Sequence, residues 1–180
     1  MKKTLLLLTL ASTLSFASND VNVTQMGDQA IKKMMKTLKE AVMGAMKDGG
    51  PEKTAQVCAS SAVSIEKSVN DGFKNITVKR TTLKPRNPNN MATPDEAKVL
   101  QEMAKTNSKE LVTVQLGENH YKVYQPIHMM KMCVTCHGDD ASRHPKADAI
   151  MKAKYKDDQS NGYKEGDFRG AFVADINLSK

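Results

Sequence analysis

Tryptophan is absent from this 180-residue chain, and aromatic residues make up only 4% of it. A core assembled around large aromatic side chains is therefore excluded. Packing must fall to aliphatic residues and to the 12 methionines, whose adaptable side chains suit irregular core gaps. Long hydrophobic runs are also missing. The longest, Thr4 to Leu14, falls short of the roughly 20 apolar residues that a membrane-spanning helix needs. Cysteine is scarce and its count is odd, three in all, so any pairing leaves one thiol to be accounted for. No internal repeat and no nucleic-acid-binding motif occurs. The hydrophobic share of 39% is enough for a core, and the length suits one domain.

What is present begins at the N-terminus. Met1-Lys2-Lys3 is a basic start, Thr4 to Leu14 an apolar stretch, and Ser15-Phe16-Ala17 a small-x-small cleavage site. This pattern predicts a secretory signal peptide over residues 1–17, a mature domain over residues 18–180, and a periplasmic location. The alternative is an uncleaved N-terminal anchor. The net charge of +7 falls by two if Lys2 and Lys3 leave with the signal. What remains is scattered, as at Lys152, Lys154 and Lys156, and reads mainly as a solvated face that favours acidic partners.

The motif with the most chemical content is Cys133-Val134-Thr135-Cys136-His137. Cys-x-x-Cys-His is the attachment signature of a c-type haem. Two thiols at this spacing can each form a thioether to a vinyl group, and the histidine that follows can ligate iron through a neutral ring nitrogen. A porphyrin would also supply the flat apolar surface that the missing aromatics do not. Export and covalent haem attachment belong to the same side of a bacterial membrane, so the two signals agree.

Periodicity predicts the elements. Apolar residues at helical spacing run from Thr24 to Lys47 (Met26, Ala30, Met34, Leu38, Ala41 or Val42, Ala45). Asp48-Gly49-Gly50-Pro51 stops that helix, and a second is predicted from Pro51 to Val69. Its stripe of Ala55, Cys58, Ala62, Ile65 and Val69 turns Cys58 inward. Ile76–Thr81 alternates like a strand, and residues 84–90 form a Pro- and Asn-rich loop. Thr93, Pro94 and Glu96 make a capping box for a helix to about Lys105. Leu111–Leu116 and His120–Gln125 read as a hairpin, 147–155 as a short helix, and Phe168–Ile176 as a closing strand. Helices first and antiparallel-looking strands afterwards predict an α+β fold.

Several blocks together resemble a family of secreted single-haem domains with a PAS-like fold. They are Ala55-Gln56-Val57-Cys58; Arg80-Thr81-Thr82-Leu83-Lys84-Pro85-Arg86-Asn87-Pro88-Asn89-Asn90; Pro126 through the haem motif to Gly138; and Asp158 to Tyr163 with Gly166-Asp167-Phe168-Arg169-Gly170. In that family the domain occurs alone or as the sensing part of histidine kinases, and this chain resembles the stand-alone members. The resemblance implies an antiparallel PAS-like sheet with long N-terminal helices, one covalent haem, and a second axial ligand from a cysteine on an early helix. Cys58 sits at the matching place. Its inward position and lack of a disulfide partner point to it as well, since a thiolate is a soft ligand for ferric iron.

Alternatives stay open. Cys58 can be a buried structural thiol; the sixth ligand can come from His128, Met129, Met130 or His120; and Cys58, Cys133, Cys136 and His137 are also a zinc ligand set. His144 is expected at the surface. Arg80, Arg86 and Lys84 can pair with haem propionates, and the glycines at 162, 166 and 170 are expected to shape the turn into the last strand.

The expected function is redox or small-gas sensing through a His/Cys-ligated haem, in which Cys58 leaves iron on reduction. The second reading is a soluble electron-transfer cytochrome that docks an acidic redox partner. A haem reductase or peroxidase is disfavoured because no distal His/Arg pair is evident, so a non-enzymatic role is expected. A homodimer through the methionine-rich helices is implied by the resemblance alone.

Overall fold

The computed structural model describes residues 15–179, with side chains from Asn22 onward. Most of the signal-peptide reading, residues 1–14, lies outside the described residues. Helix α1 spans Ser15–Ser60 and bends at Gly49 and Gly50. Gly50 takes φ +63°, which disfavours any residue with a Cβ, and Pro51 restarts the helix beyond it. The expected boundary is therefore real: non-helical backbone at Gly49 and Gly50 separates two helical segments of α1. The second half breaks once more, at Ser61, before α2 (Ala62–Asn70). Backbone bonds from Ser61 N to Val57 O and from Ile65 N to Ser61 O carry helical pairing across this point, so the break is slight.

Four strands follow: β1 (Ile76–Thr81), β2 (Val112–Gly117), β3 (His120–His128) and β4 (Phe168–Asn177). They pair antiparallel in the order β1-β4-β3-β2. The expected α+β class, antiparallel sheet and long N-terminal helix are all present. Strand β3 runs three residues past its expected end and includes Pro126. Pro126 lies beyond the last β2 partner, Tyr124, so its missing N–H interrupts no ladder on that edge.

Each face of the sheet carries a separate core. On one face α1 lays Val23, Ala30, Ile31 and Met34 on Val78, Tyr121, Val123, Phe172, Ala174 and Ile176. Gly27 permits this approach, because a Cβ there would lie 2.5 Å from Val123 Cβ. On the other face α3 (Pro94–Thr106) packs Leu100 and Met103 against Tyr124, Ala171 and Val173. The expected capping box holds α3 in place: Thr93 N donates to Glu96 Oε2 at 3.2 Å, and Glu96 N donates to Thr93 Oγ1 at 3.4 Å. The methionines divide. Met34, Met103, Met129 and Met151 are buried, whereas Met35, Met43, Met91 and Met130 are exposed.

Two short helices complete the fold, α4 (Val134–His137) and α5 (Pro145–Lys154). A third core joins them to the second half of α1: Ala55, Ala147 and Met151 are buried, with Cys58, Ala59 and Cys136 packed on them. Among the described residues no helix is long and apolar enough to cross a membrane.

Candidate functional site

The site is built where β3 ends. Cys133 closes a one-turn 3-10 helix over Lys131–Cys133, and α4 carries Cys136 and His137 directly after it. The Cys133 amide bonds to Met130 O at 2.8 Å, so both thiols and the histidine sit on one tight helical unit anchored to the strand.

Two loops clamp this unit. The first is the Pro- and Asn-rich loop, in which Asn87 caps a 3-10 turn over Pro88–Asn90. Arg86 reaches out of it, donating through Nη2 to Cys136 O at 2.6 Å and through Nε to Asp158 Oδ2 at 2.7 Å. The second is the 158–163 loop. Tyr163 N bonds to His137 O at 3.0 Å and Gly162 N to Gly138 O at 2.8 Å. The loops also join each other through Gln159 N to Pro85 O, 3.0 Å, and Lys84 Nζ to Asn161 O, 2.9 Å. Three sequence blocks far apart in the chain thus form one hydrogen-bonded assembly.

His137 is oriented by Ser160. Its Nδ1 lies 2.9 Å from Ser160 O and 2.6 Å from Ser160 Oγ. A carbonyl oxygen only accepts, so the 2.9 Å contact places the ring proton on Nδ1. Nε2 is then the nitrogen with a free lone pair, which is the arrangement that metal-binding histidines adopt. Burial, with Arg86 and Arg169 nearby, pushes the His137 pKa well below the usual histidine value, against the opposing pull of the Ser160 hydrogen bond. The ring is neutral and ready to donate electrons.

Cys58 borders the same region. It packs with Cys136 in the third core, and Arg80 and Arg86 bear electrostatically on both Cys58 and His137. Burial raises the Cys58 thiol pKa, while those two guanidiniums work in the opposite direction. The Cys136 thiol is raised as well, first by burial, with Arg86 opposing and the neighbouring Cys58 and Cys133 adding to it. The donor set is two thiols on one turn, a neutral imidazole with Nε2 available, and a third thiol on the facing helix. These donors are of the types that hold an iron porphyrin, an imidazole nitrogen and thiol sulfurs. Among the described residues no three His, Cys, Asp or Glu side chains converge on a bare ion, so the zinc alternative finds no geometry there.

The remaining sequence candidates are placed elsewhere. His120 begins β3 and pairs with Asp175 at 2.8 Å, roughly 26 Å of strand away from the motif end. His128 Nε2 is 3.0 Å from Asn107 Oδ1, and its ring meets Phe168 edge-on. Met129 is buried in the turn that bonds Asp167 and Gly166, and Met130 is 51% exposed. His144, expected at the surface, is half-buried. Its amide bonds to Thr135 O at 2.9 Å, which lays it against α4 and leaves Nδ1 buried without a partner.

Arg80 directs Nε to Glu66 at 2.6 Å, and Arg86 is held as described above. Both line the region, with part of each guanidinium given to a carboxylate. Sequence reasoning missed Ser160 and Arg169. Both fall within noticed blocks, but nothing local marks one as the partner of His137 or the other as a cation over Tyr163.

No curated protein matches the chain. Among solved structures, the crystal structure of the cyanobacterial heme-protein Tll0287 is similar, with a TM-score of 0.62 at 21% identity, over 92% of this chain and 98% of that one. At that identity the likeness is one of fold. A family model described as Tll0287-like matches residues 3–177, nearly the whole length, and the chain therefore belongs to the Tll0287-like family.

Proposed function

We propose that this chain is a periplasmic protein carrying one c-type haem and that it senses redox state or a small gas. Cys133 and Cys136 would hold the haem by thioethers, His137 Nε2 would provide one axial ligand and the Cys58 sulfur the other. The observation that carries this reading is the commitment of His137 Nδ1 to Ser160 at 2.9 and 2.6 Å, inside a Cys-x-x-Cys-His turn that shares its surroundings with Cys58. The similar solved structure, that of a heme-protein, adds to it. When bound, a haem supplies an iron that changes oxidation state and can take a diatomic ligand.

The chain's own residues suit a sensing role. Ser160, Arg86 and the Tyr163 and Gly162 amides fix the motif side from several directions. The Cys58 side rests on the part of α1 beyond the Gly49–Gly50 kink, with small residues such as Ala55 and Ala59 around it. A rigid ligand facing one on a separately hinged helical segment is a bistable arrangement, in which movement of Cys58 is passed to α1.

The test is intact mass with ferric and ferrous absorption and EPR on protein matured in a haem-competent host, with and without Cys58→Ala. The expected result is a mass increased by one haem and a low-spin ferric signal that the variant loses. Bare-polypeptide mass would reject the cofactor, and an unchanged ferric spectrum in Cys58→Ala would remove Cys58 as a ligand. Reversible voltammetry without ligand-exchange kinetics would instead favour simple electron transfer.

A further inference from the structure

Arg169, the second residue of β4, is a cation whose protein partners are all neutral. Nη1 donates to Thr82 Oγ1 at 2.8 Å and to Lys84 O at 3.1 Å, and the guanidinium carbon lies 5.4 Å from the Tyr163 ring centroid. Two further guanidiniums act on it electrostatically, Arg86 and Arg80. Each of these has its own carboxylate, Asp158 for Arg86 and Glu66 for Arg80. Among the described residues no ion pair includes Arg169, and no hydrogen bond uses its Nε or Nη2. Three arginines therefore share two carboxylates.

This imbalance is costly. Arg169 is partly buried, and a cation drawn partly out of water gains from a counter-charge. Burial and the two neighbouring arginines do pull the Arg169 proton affinity down, with Tyr163 and Asp158 opposing. Since arginine does not give up its proton in proteins, the charge stays, and among the described residues Asp158, already paired with Arg86, is the carboxylate that acts on it. The unused Nε and Nη2 form a planar fork that matches a carboxylate in two-point contact.

We infer that Arg169 is the receptor for a carboxylate, and that this carboxylate belongs to the haem held at Cys133, Cys136 and His137. The inference rests on the cofactor reading above and assigns a propionate partner that the Arg80 and Arg86 assignments do not include. Arg80 and Arg86 keep their own carboxylates and raise the local positive potential, while Arg169 makes the direct contact.

The experiment is difference infrared spectroscopy on haem-loaded protein whose porphyrin carboxyls carry an isotope label, comparing wild type, Arg169→Gln and Arg169→Lys. In wild type the labelled band should report an ionised carboxylate bound by a strong donor. Arg169→Gln should move it to the position of a solvated or protonated carboxyl, and Arg169→Lys, which keeps charge but loses the fork, should place it between the two. If Arg169→Gln does not fold, Arg169→Lys alone still reads the shift. A loaded variant with an unmoved band overturns this inference and leaves the cofactor reading intact, whereas wild-type protein of bare-polypeptide mass overturns both. Formate added at constant ionic strength separates the rival source. A wild-type midpoint potential that tracks formate concentration would assign Arg169 to a free anion and overturn the haem carboxylate.

Discussion

Among the described residues two polar centres stand out, one beneath α3 and one around the Cys-x-x-Cys-His turn, and they are finished in opposite ways. On the α3 side, Glu96 is completely buried and meets Lys122 at 2.8 Å, Lys79 at 3.0 Å and Thr81 Oγ1 at 3.0 Å, besides its own capping amide. Every acceptor site on that carboxylate is used by groups of the chain itself. At the Cys-x-x-Cys-His turn, Arg80, Arg86 and Arg169 bear on a buried imidazole, with cationic donors left over. A closed centre of the first kind holds elements together, here α3, β1 and β3. An unbalanced one is, on the cofactor reading, a place that a carboxylate from outside the polypeptide would complete.

The sharpest way to break the contrast is Glu96→Gln. The variant keeps shape and some hydrogen bonding but leaves Lys122, 14% exposed, with only the 3.8 Å contact to Asp175. Breaking a buried pair in this way costs about 3–5 kcal/mol. Urea unfolding should show a midpoint lowered to match, with unchanged slope. A loss under about 1 kcal/mol would mean that the charge is not needed there.

The same carboxylate gives the second effect, read through acid. Burial opposes ionisation, but the hydrogen bonds from Lys122, Lys79 and Thr93 outweigh it and lower the Glu96 pKa from 4.5 to about 2. A carboxyl with a depressed folded-state pKa stabilises fully above its unfolded value, and that contribution is lost as pH falls toward the folded value. About 3 kcal/mol should thus disappear between pH 4.5 and about 2, and the loss should be absent from the Glu96→Gln profile. Equal acid sensitivity in both proteins would contradict the assignment.

Arg86→Gln tests the unbalanced centre for stability. Arg86 joins Asp158, Cys136 O and, at 3.4 Å, Ser160 O, so it ties both clamping loops to the motif. Hydrogen bonds to a charged group are worth about 1.5–3 kcal/mol, and a loss in that range is expected, below that of Glu96→Gln. Hydrogen exchange should rise first in residues 133–138 and 158–163, because the bonds removed lie there.

These two centres were not equally legible in the sequence. The motif, the capping box, the hairpin and the final strand rest on neighbours within a few residues, where spacing alone carries the physics. Glu96 was readable only as the N3 residue of its box, because its lysines come from β1 and β3, 17 and 26 residues away. The Ser61 break has neither Gly nor Pro to announce it. The extension of β3 was hidden because Pro126 argues against a strand unless one edge is free. Ser160 and Arg169 take their meaning from where loops land, 23 residues from His137 and 87 from Thr82. Residue types at a site are local information, whereas the groups that orient and charge it arrive by tertiary folding.

Ser160→Ala should have the smallest effect on stability and the most specific one on chemistry. The variant deletes the hydroxyl 2.6 Å from His137 Nδ1 and keeps the carbonyl at 2.9 Å, so the tautomer survives. One net hydrogen bond is worth about 0.5–1.5 kcal/mol, and unfolding should register no more. On the cofactor reading, an acceptor on Nδ1–H makes the imidazole a stronger donor and favours the ferric state. Its removal should raise the midpoint potential, by up to about 59 mV for a tenfold shift in a one-electron equilibrium. Ser160→Thr, which restores a hydroxyl, should return most of it. An unchanged potential in Ser160→Ala, with the small stability loss still present, would reduce Ser160 to a packing residue and leave the carbonyl as the group that orients His137.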